Sequence, residues 1–458
     1  MRIPWRQFFP ILALSLSLGF VGCSSVPKRD APQLGKSEVR ETAPLAEIPA
    51  WWREFGDPGL NRAVETALEG NPDLDSAAAR IREARELAQA QRAEGLPRAN
   101  LGAGFTQGRE SNRETAFRNV RIDPWRAAAT ASWEIDLFGR IAARSRSATE
   151  NLRQREADLQ AVQLALSAEV AVAWFTLLRL NEEREIVAEL LESSEEIAET
   201  TRNREQAGLA STAETGRQEA ETETLRGTSI EIDRQREVAA IRLDVLKGQH
   251  PGTSAPPQKG LSTSRLFEKV PRQVPLEWIR QRPDLLAAEA AVFSSYAQEQ
   301  ADRLNLYPAL TMELDGIAMA GSLSGPVGAW LAGGGPRLQL PVLDPTNRAR
   351  ARATQARTDA AVAAWETALL AAFEELEIAL IDVAHHRRQF ESVRRETAQW
   401  RDVWKTTRTN FAAGVVSHVE VLDDQRSYLA ARRSELALRH LIVIDQVAIA
   451  KAVGGKID

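Results

Sequence analysis

The most constraining feature of this sequence is a proline-free run from Trp125 to His250, most of which has helical character. A second proline-free run extends from Thr346 to Asp458. At about 1.5 Å per residue, a helix from Gly139 to Gln206 alone would be about 100 Å long, which is too long for the interior of a compact domain. We expect each run to fold back on itself at a break, near Gly208 in the first and at Gly414 in the second.

Both runs contain a glycine at which the chain can reverse. The segment Ala207-Gly208-Leu209-Ala210-Ser211 in the first run resembles Ala413-Gly414-Val415-Val416-Ser417 in the second. Glycine is the residue that most readily adopts the backbone conformation of such a turn. The sequence therefore predicts two long antiparallel helical hairpins, over residues 139–248 and 346–453.

The elements that precede each hairpin repeat as well. Asn71-Pro72-Asp73-Leu74 is typical of a helix start, because Asn71 can cap the first amides and Pro72 suits the first turn. Arg282-Pro283-Asp284-Leu285 mirrors this segment before the second hairpin. Two strand-like segments follow each helix start, within residues 100–138 and 308–343. We interpret the chain as an internal duplication with halves at 50–260 and 261–458.

The strand-like segments alternate between apolar and polar residues, which is typical of strands with one apolar face. The clearest apolar face combines Ala127, Ala129, Ala131, Trp133, Ile135 and Leu137. Each segment has about the length that a tilted strand needs to cross a bilayer. We expect the polar segment from Gly108 to Asp123 to be a loop between the first two strands. We expect Gly333-Gly334-Gly335 to mark a bend at the start of the fourth strand.

The N-terminus has the layout of a secretory leader, since Arg2 and Arg6 precede an apolar run. The run ends in Leu18-Gly19-Phe20-Val21-Gly22-Cys23, which looks like a lipoprotein cleavage box before the single cysteine of the chain. We therefore expect a signal peptide over 1–22 and a lipidated tether over 23–49 that begins at Cys23. In such lipoproteins, a Ser at position 24 rather than Asp implies sorting to the outer membrane. An ordinary signal peptide with an incidental cysteine is the alternative.

Composition and motifs argue against several function classes. A net charge of only −5 gives no general attraction to nucleic acid, so we expect no nucleic-acid partner. Outside the leader, no uninterrupted run of 18 apolar residues exists, and we expect no helical membrane span. His385 and His386 point in different directions on a helix and have no nearby ligand partners, so we expect no metal. No nucleophile and base can be grouped, so we expect no enzyme and no cofactor other than a lipid on Cys23.

Four strands are too few to close a barrel. In lipid, each unpaired backbone group at an open sheet edge costs several kcal/mol. The long apolar seams of the hairpins also need neighbours. Several copies in a cyclic ring, with a lumen on the axis, would satisfy both requirements.

The chain resembles the TolC-type outer-membrane factors, in the lipoprotein branch that serves resistance-nodulation-division efflux pumps. The resemblance spans nearly all of the mature chain. Its carriers, beyond the two helix starts, are Trp133-Glu134-Ile135-Asp136-Leu137-Phe138-Gly139, Leu340-Pro341-Val342-Leu343-Asp344, Gly414 to Gln425, and Ala452-Val453-Gly454-Gly455. Single motifs are weak, but their order and duplicated spacing are specific together.

The resemblance implies an α+β membrane protein that is mostly α. Its long antiparallel hairpins would form a periplasmic α-barrel, and four strands per chain would contribute to a twelve-stranded β-barrel in a homotrimer. It implies a passive conduit for small molecules or drugs in a tripartite efflux system. The implied partners are a periplasmic adaptor, an inner-membrane efflux transporter and the lipid of the outer membrane.

The resemblance also implies functional residues at the hairpin turns. Val419, Glu420 and Asp423 match positions that line the family's periplasmic constriction, and three-fold symmetry would turn each into a ring. We expect Asp423, with Glu420, to form a cation-attracting gate. The candidate adaptor contacts are the two tips, with Gly208, Leu209, Ser211, Gly414, Val415 and Ser417.

A competing hypothesis comes from a different class of protein. The chain would then be a lipid-anchored periplasmic scaffold or adaptor of coiled-coil type, with the alternating segments in a soluble sheet. For the gate residues the competing interpretation is a solvated helix face, and for the tips it is a purely structural turn.

Overall fold

The computed structural model describes residues 30, 48–105, 108–110, 120–122, 125–253, 257–263, 274–320 and 327–456. The predicted signal peptide, Cys23 and most of the predicted tether lie outside these residues. The chain divides into two compact units. The first comprises residues 1–43, 80–156 and 287–366, and the second comprises 44–79, 157–286 and 367–458.

Eight helices are found in the described residues, together with short 3-10 turns at Trp51–Phe55 and Leu261–Thr263. The helices are α1 (Pro58–Gly70), α2 (Pro72–Ala93), α3 (Arg140–Gln206), α4 (Thr212–Leu246), α5 (Leu276–Arg280), α6 (Pro283–Leu304), α7 (Pro345–Ala412) and α8 (His418–Ala452). The described strands are β1 (Arg98–Phe105), β2 (Gly108–Glu110), β3 (Val120–Ile122), β4 (Trp125–Ile135), β5 (Ala309–Ala320) and β6 (Val327–Gln339).

The first unit contains a four-stranded antiparallel sheet with the order β1-β4-β5-β6. Its register pairs Leu101 with Ala129, and Ala131 with Leu314. The four predicted strands are therefore present. The prediction of a simple loop over Gly108 to Asp123 was wrong, because β2 and β3 lie within it and pair with each other. The paired strands β2 and β3 lie between β1 and β4, beyond the segments in which apolar and polar residues alternate clearly.

The register separates the side chains of this sheet into two chemically different faces. One face carries only apolar residues and glycine: Ala99, Leu101, Ala103, Phe105, Trp125, Ala127, Ala129, Ala131, Trp133, Ile135, Leu310, Met312, Leu314, Gly316, Ala318, Ala320, Trp330, Ala332, Gly334, Pro336 and Leu338. Every ionisable residue of the four strands lies on the opposite face: Arg98, Arg126, Glu134, Glu313, Asp315 and Arg337. Leu101 on the apolar face is 84% exposed, so this face is bare in the single chain.

The predicted bend at Gly333-Gly334-Gly335 was wrong, since these glycines pair regularly with β5. The irregularity lies instead at Met319/Ala320, where Ala320 pairs with Val327 and Met319 with Ala329. A Cβ on Gly334 would approach the Glu313 carbonyl oxygen to 2.4 Å, so glycine here permits close approach of the two strands. β6 tolerates Pro336 because it is an edge strand of the sheet.

The two predicted helical hairpins are present, and most of their residues belong to the second unit, although residues 140–156 and 345–366 belong to the first. α3 has 67 residues and α7 has 68, while α4 and α8 have 35 residues each. The shorter helices α2 and α6 also match, with 22 residues each. Each of these three helices of the first half thus has a counterpart of nearly equal length in the second.

The core of the second unit includes aromatic side chains where the 3-10 turn Trp51–Phe55 packs against α3. Phe55 and Phe175 are fully buried there, and their rings lie 4.8 Å apart. The predicted helix start at Asn71 is confirmed, because its Oδ1 accepts a hydrogen bond from the Asp73 N–H at 2.9 Å. The sequence analysis missed α1, although Asp57 and Pro58 give the same signal of a capping residue followed by proline.

Within the described ranges, one helix is long and apolar enough to cross a membrane by length and composition. It is Arg140–Gln206, where an 18-residue window has a mean hydropathy of 1.7 and is 61% buried inside the structure. The expectation of no helical span considered only uninterrupted apolar runs and overlooked this window. A buried core helix passes the same test, so the window is weak support for a helical span.

Candidate functional site

The two hairpin turns have the same backbone geometry. At the first, Gly208 has φ of 70°, its N–H donates to the Glu205 carbonyl at 2.9 Å, and the next N–H donates to the Arg204 carbonyl at 2.8 Å. At the second, Gly414 has φ of 77° and the two corresponding bonds are both 2.9 Å long. This is the Schellman arrangement, in which a left-handed glycine lets the last helical carbonyls find donors. The predicted turns are therefore confirmed as glycine-dependent helix ends.

Each turn is followed by a capping box that starts the return helix. The Ser211 hydroxyl accepts from the Glu214 N–H, and the Glu214 carboxylate accepts from the Ser211 N–H at 2.8 Å. Ser417 and Glu420 repeat this arrangement, with both bonds at 3.3 Å. Glu420, predicted as a gate residue, thus also holds the first turn of α8 in place.

The predicted adaptor-contact residues lie at the exposed ends of the hairpins. Leu209 is 74% exposed and Val415 is 73% exposed, so each turn presents one bare apolar side chain. Gly208, Ser211, Gly414 and Ser417 are exposed beside them. Nothing among the described residues covers these side chains, and their role in adaptor binding stays a prediction.

The predicted gate residues share one exposed face of α8. Val419 is 48% exposed, and Glu420 and Asp423 are exposed one helical turn apart. Asp423 interacts electrostatically with Arg426, whose guanidinium binds the Glu221 carboxylate at 2.5 Å. Hydrogen bonding and attraction by Glu221, with a smaller contribution from Asp423, raise the pKa of Arg426. The structure therefore supplies a cationic neighbour for Asp423 that the sequence analysis did not find.

Polar side chains connect the two hairpins near their turns. His418 Nε2 lies 2.9 Å from Gln218 Oε1, and the Gln425 amide donates to the Leu190 carbonyl at 3.1 Å. The Arg204 guanidinium lies over the Phe411 ring, 5.1 Å from its centroid. Sequence reasoning missed all of these residues, because each partner lies roughly 200 positions away along the chain.

The interior near the turns contains many polar side chains. The buried polar residues of this distal region are Ser193, Ser194, Thr201, Thr215, Gln218, Glu221, Thr222, His418 and Gln425. Four buried atoms there have no hydrogen-bond partner in the described part of the chain, namely Ser193 Oγ, Thr215 Oγ1, His418 Nδ1 and Gln425 Oε1. Unsatisfied buried polar atoms weaken packing, so these four atoms reduce the stability of this region.

No group of three or more His, Cys, Asp or Glu able to hold a metal ion is found among the residues described. His386, one of the paired histidines of the sequence, instead lies with its Nδ1 2.8 Å from Asp445 Oδ2. The turns present bare apolar tips, and the face of α8 beside them presents carboxylates.

The sequence profile of the outer membrane efflux protein family matches this chain twice, over residues 63–249 and 274–455. Among curated proteins, the chain is 26% identical to the pyoverdine export outer membrane protein OpmQ of Pseudomonas aeruginosa over 458 residues, covering 97% of the chain and 96% of OpmQ. It is 26% identical to the toluene efflux pump outer membrane protein TtgC of Pseudomonas putida, covering 95% of the chain and 93% of TtgC.

Solved structures agree with these sequence matches. The outer-membrane channel OprN superposes with a TM-score of 0.83 at 27% identity, covering 94% of this chain and 98% of OprN. The outer membrane protein VceC of Vibrio cholerae has the same fold, with a TM-score of 0.81 at 22% identity over 89% of this chain and 99% of VceC. The two matches to the family profile together span well over half of the sequence, and the chain belongs to the outer membrane efflux protein family.

Proposed function

We propose that this protein is the outer-membrane channel of a tripartite efflux system, a passive conduit that carries small molecules or drugs outward from the periplasm or from an inner-membrane pump. One observation carries the proposal: the four-stranded sheet has a wholly apolar face and an opposite face that holds all of its charges. A sheet of this kind suits a wall with lipid on one side and water on the other. The outer-membrane channels and efflux proteins among its relatives support the same function.

The proposed assembly is a homotrimer. β1 and β6 are the edge strands of the sheet, and neither has a second partner among the described residues. Because open edges are costly in lipid, the sheet needs further copies beside it. Three copies of the four-stranded sheet would close a twelve-stranded barrel.

The helices of the second unit support the same assembly. α4 carries a bare apolar stripe of Ile230, Val238, Ile241 and Val245, which are 68%, 53%, 45% and 55% exposed. α7 carries another stripe, in which Leu370, Ile378 and Ile381 are 70%, 50% and 55% exposed. In a ring, the α4 stripe of one copy would meet the α7 stripe of the next and form a periplasmic α-barrel.

Two matches to one family profile and the nearly equal lengths of the hairpin helices support an internal duplication of the chain. Duplication explains why both turns carry the same Schellman glycine and the same capping box. It also gives a protomer two turns that face a periplasmic adaptor, with Leu209 and Val415 as the contact side chains.

The remaining features of the proposal concern location and gating. The protein would be lipid-anchored at Cys23 in the outer membrane and extend into the periplasm, where it would meet the adaptor and an inner-membrane efflux transporter. Val419, Glu420 and Asp423 of the three copies would form the periplasmic constriction. Rings of negatively charged carboxylates close to an axis raise the local concentration of cations.

Planar-bilayer recording on the purified full-length protein tests the proposed function. We expect discrete, long-lived conductance steps that favour cations. A lipid-anchored scaffold would bind the membrane surface and give no conductance steps, and that result would reject the channel.

A further inference from the structure

His418 is a buried imidazole at the junction of the two hairpins. It is 3% exposed and sits at the first position of α8, directly before the gate candidate Val419. Its neighbours come from other helices: Gln218 of α4 at 2.9 Å, and the ring of Phe411 of α7, whose centroid lies 6.0 Å away. One side chain thus joins both hairpins next to the proposed constriction.

The hydrogen bonds of Gln218 fix the tautomer of the neutral imidazole. The Gln218 amide nitrogen donates to the Ser194 carbonyl at 3.0 Å and to the Ser194 hydroxyl at 2.9 Å. Its Oε1 therefore faces His418 as an acceptor, and the His418 Nε2 must carry a proton and donate. The other ring nitrogen, Nδ1, is then the unprotonated one, and it is buried with no partner in the described part of the chain.

A second proton on His418 would have no hydrogen-bond acceptor among the described residues. It would bind at Nδ1 and place both an unpaired N–H and a positive charge in a buried position. The charged groups around His418 come from α3 and α4. Glu214 attracts the charged form, Arg217 repels it, and Arg204 lies over the neighbouring Phe411 ring. On α8 itself, Glu420 is held by the capping box with Ser417.

We propose that His418 is a proton-responsive latch that holds the start of α8 against α3 and α4 at neutral pH and releases it on acidification. The Nε2–H bond to Gln218 is kept in both protonation states, but a second proton at Nδ1 would leave a charge and an unpaired N–H buried between the packed helices, and this form is better solvated once the helices separate. Because Val419, Glu420 and Asp423 follow on the same helix, release of this contact would loosen the proposed constriction. The link to conductance rests on the proposed channel function, whereas the latch itself does not.

The direction of the pH effect follows from the environment of the ring. Burial lowers the pKa of His418 below its ordinary value of 6.5, with attraction by Glu214 opposing this and repulsion by Arg217 adding to it. The separated state therefore binds the proton more readily than the packed state. Packing is fully favourable above the ordinary pKa and weakens as pH falls below it. One pH unit below that value shifts the opening equilibrium by at most about tenfold.

Hydrogen–deuterium exchange on the intact protein measures this opening. Peptides that cover residues 414–425 should exchange up to about tenfold faster at about pH 5.5 than at about pH 7.5, after correction for the intrinsic rate. Peptides from α2 report whether the rest of the chain stays folded. A rate at 414–425 that does not change with pH would overturn the latch.

Two variants separate His418 from other titrating groups. His418→Gln keeps a donor for Gln218 but cannot titrate, and it should abolish the acid-induced increase. His440→Gln is the matched control, because burial also lowers the pKa of His440, to about 4, and this residue lies elsewhere on α8. The control should retain the increase, and an acid response that persists in His418→Gln would contradict the proposal.

Planar-bilayer recording at the same two pH values tests the functional link. The open fraction should rise on acidification in the wild type but not in His418→Gln. Absence of any channel would reject the proposed function and leave the exchange result to decide the latch. A channel with normal conductance and pH-independent exchange would reject the latch alone.

Discussion

Asp423 is exposed on the first turns of α8 and interacts electrostatically with Arg426. If three copies of this carboxylate line one constriction, removing its charge should reduce the preference for cations. We predict that Asp423→Asn lowers the cation-to-anion permeability ratio several-fold in planar bilayers and weakens block by divalent cations, because the ring loses its negative charge.

Asp402→Asn provides the control for this prediction. Asp402 is a carboxylate of the same hairpin with a side chain that is 78% exposed. Its neutralisation should leave the permeability ratio unchanged. Equal selectivity in the wild type and in Asp423→Asn would place Asp423 on a solvated helix face away from the constriction.

Asp57 caps the start of α1, and its buried carboxylate anchors this helix to Trp174 of α3 and to Lys259. Its Oδ1 accepts from the Gly59 and Leu60 N–H groups, and its Oδ2 accepts from Trp174 Nε1 at 2.9 Å and lies 2.7 Å from Lys259 Nζ. Burial alone would raise the pKa of Asp57. The hydrogen bonds from Lys259 and Trp174 outweigh burial and hold this pKa below its ordinary value. The ionised carboxylate therefore stabilises the second unit above about pH 4, and this stability is lost as pH falls through the lowered pKa.

We predict that Asp57→Ala destabilises the second unit by about 2–3 kcal/mol, since a helix cap and hydrogen bonds to a charged group are both lost. Asp57→Asn keeps the cap and should cost less. Thermal unfolding followed by circular dichroism checks the order. Asp75→Ala, which changes an exposed carboxylate on α2, should be close to neutral. Equal midpoints for Asp57→Ala and Asp75→Ala would contradict the proposed anchor.

At the residue scale, the sequence predicted what local chemistry determines. The turn glycines at 208 and 414 and the cap at Asn71 depend only on their near neighbours, and the structure confirms all three. The buried contacts of His418 and Gln218 were not predictable, because each depends on the packing of a helix from the other hairpin. The second role of Glu420 was visible in principle, since Ser417 and Glu420 have the spacing of a capping box.

At the scale of elements, the exposed stripes of α4 and α7 decide how copies meet. We predict that Ile241→Glu prevents assembly and leaves the protomer helical, because a carboxylate would be buried between two apolar stripes. Ile378→Glu on the facing stripe should have the same effect. The copy number of the detergent-solubilised protein, measured by light scattering, and its helix content, measured by circular dichroism, check this prediction.

Thr224→Glu is the control for the stripe variants, since it adds the same charge to α4 at an exposed position outside the stripe. It should assemble normally. Normal assembly of Ile241→Glu would show that the stripe faces solvent or lipid.

Periodicity was sufficient to predict most elements, but not where they stop being regular. The four sheet strands and both hairpins followed from the alternation of apolar residues and from the proline-free runs. The β2–β3 pair did not, because its short segments lack a clear alternation. The irregular pairing at Met319/Ala320 was also missed, since it depends on the register of two strands and not on a run of glycines.

At the scale of the whole molecule, a single chain leaves surfaces uncovered that need a partner. Its sheet has two open edges and a bare apolar face, and two of its long helices carry bare apolar stripes. Identical copies around one axis would cover the sheet edges and the stripes together. The sequence alone pointed to this need, because four strands cannot close a barrel.

Native mass spectrometry of the full-length protein released from detergent tests most directly whether three copies assemble. The account predicts a single species with the mass of three protomers, which persists at concentrations where non-specific contacts dissociate. A stable single-copy species that remains folded in the same detergent would contradict it.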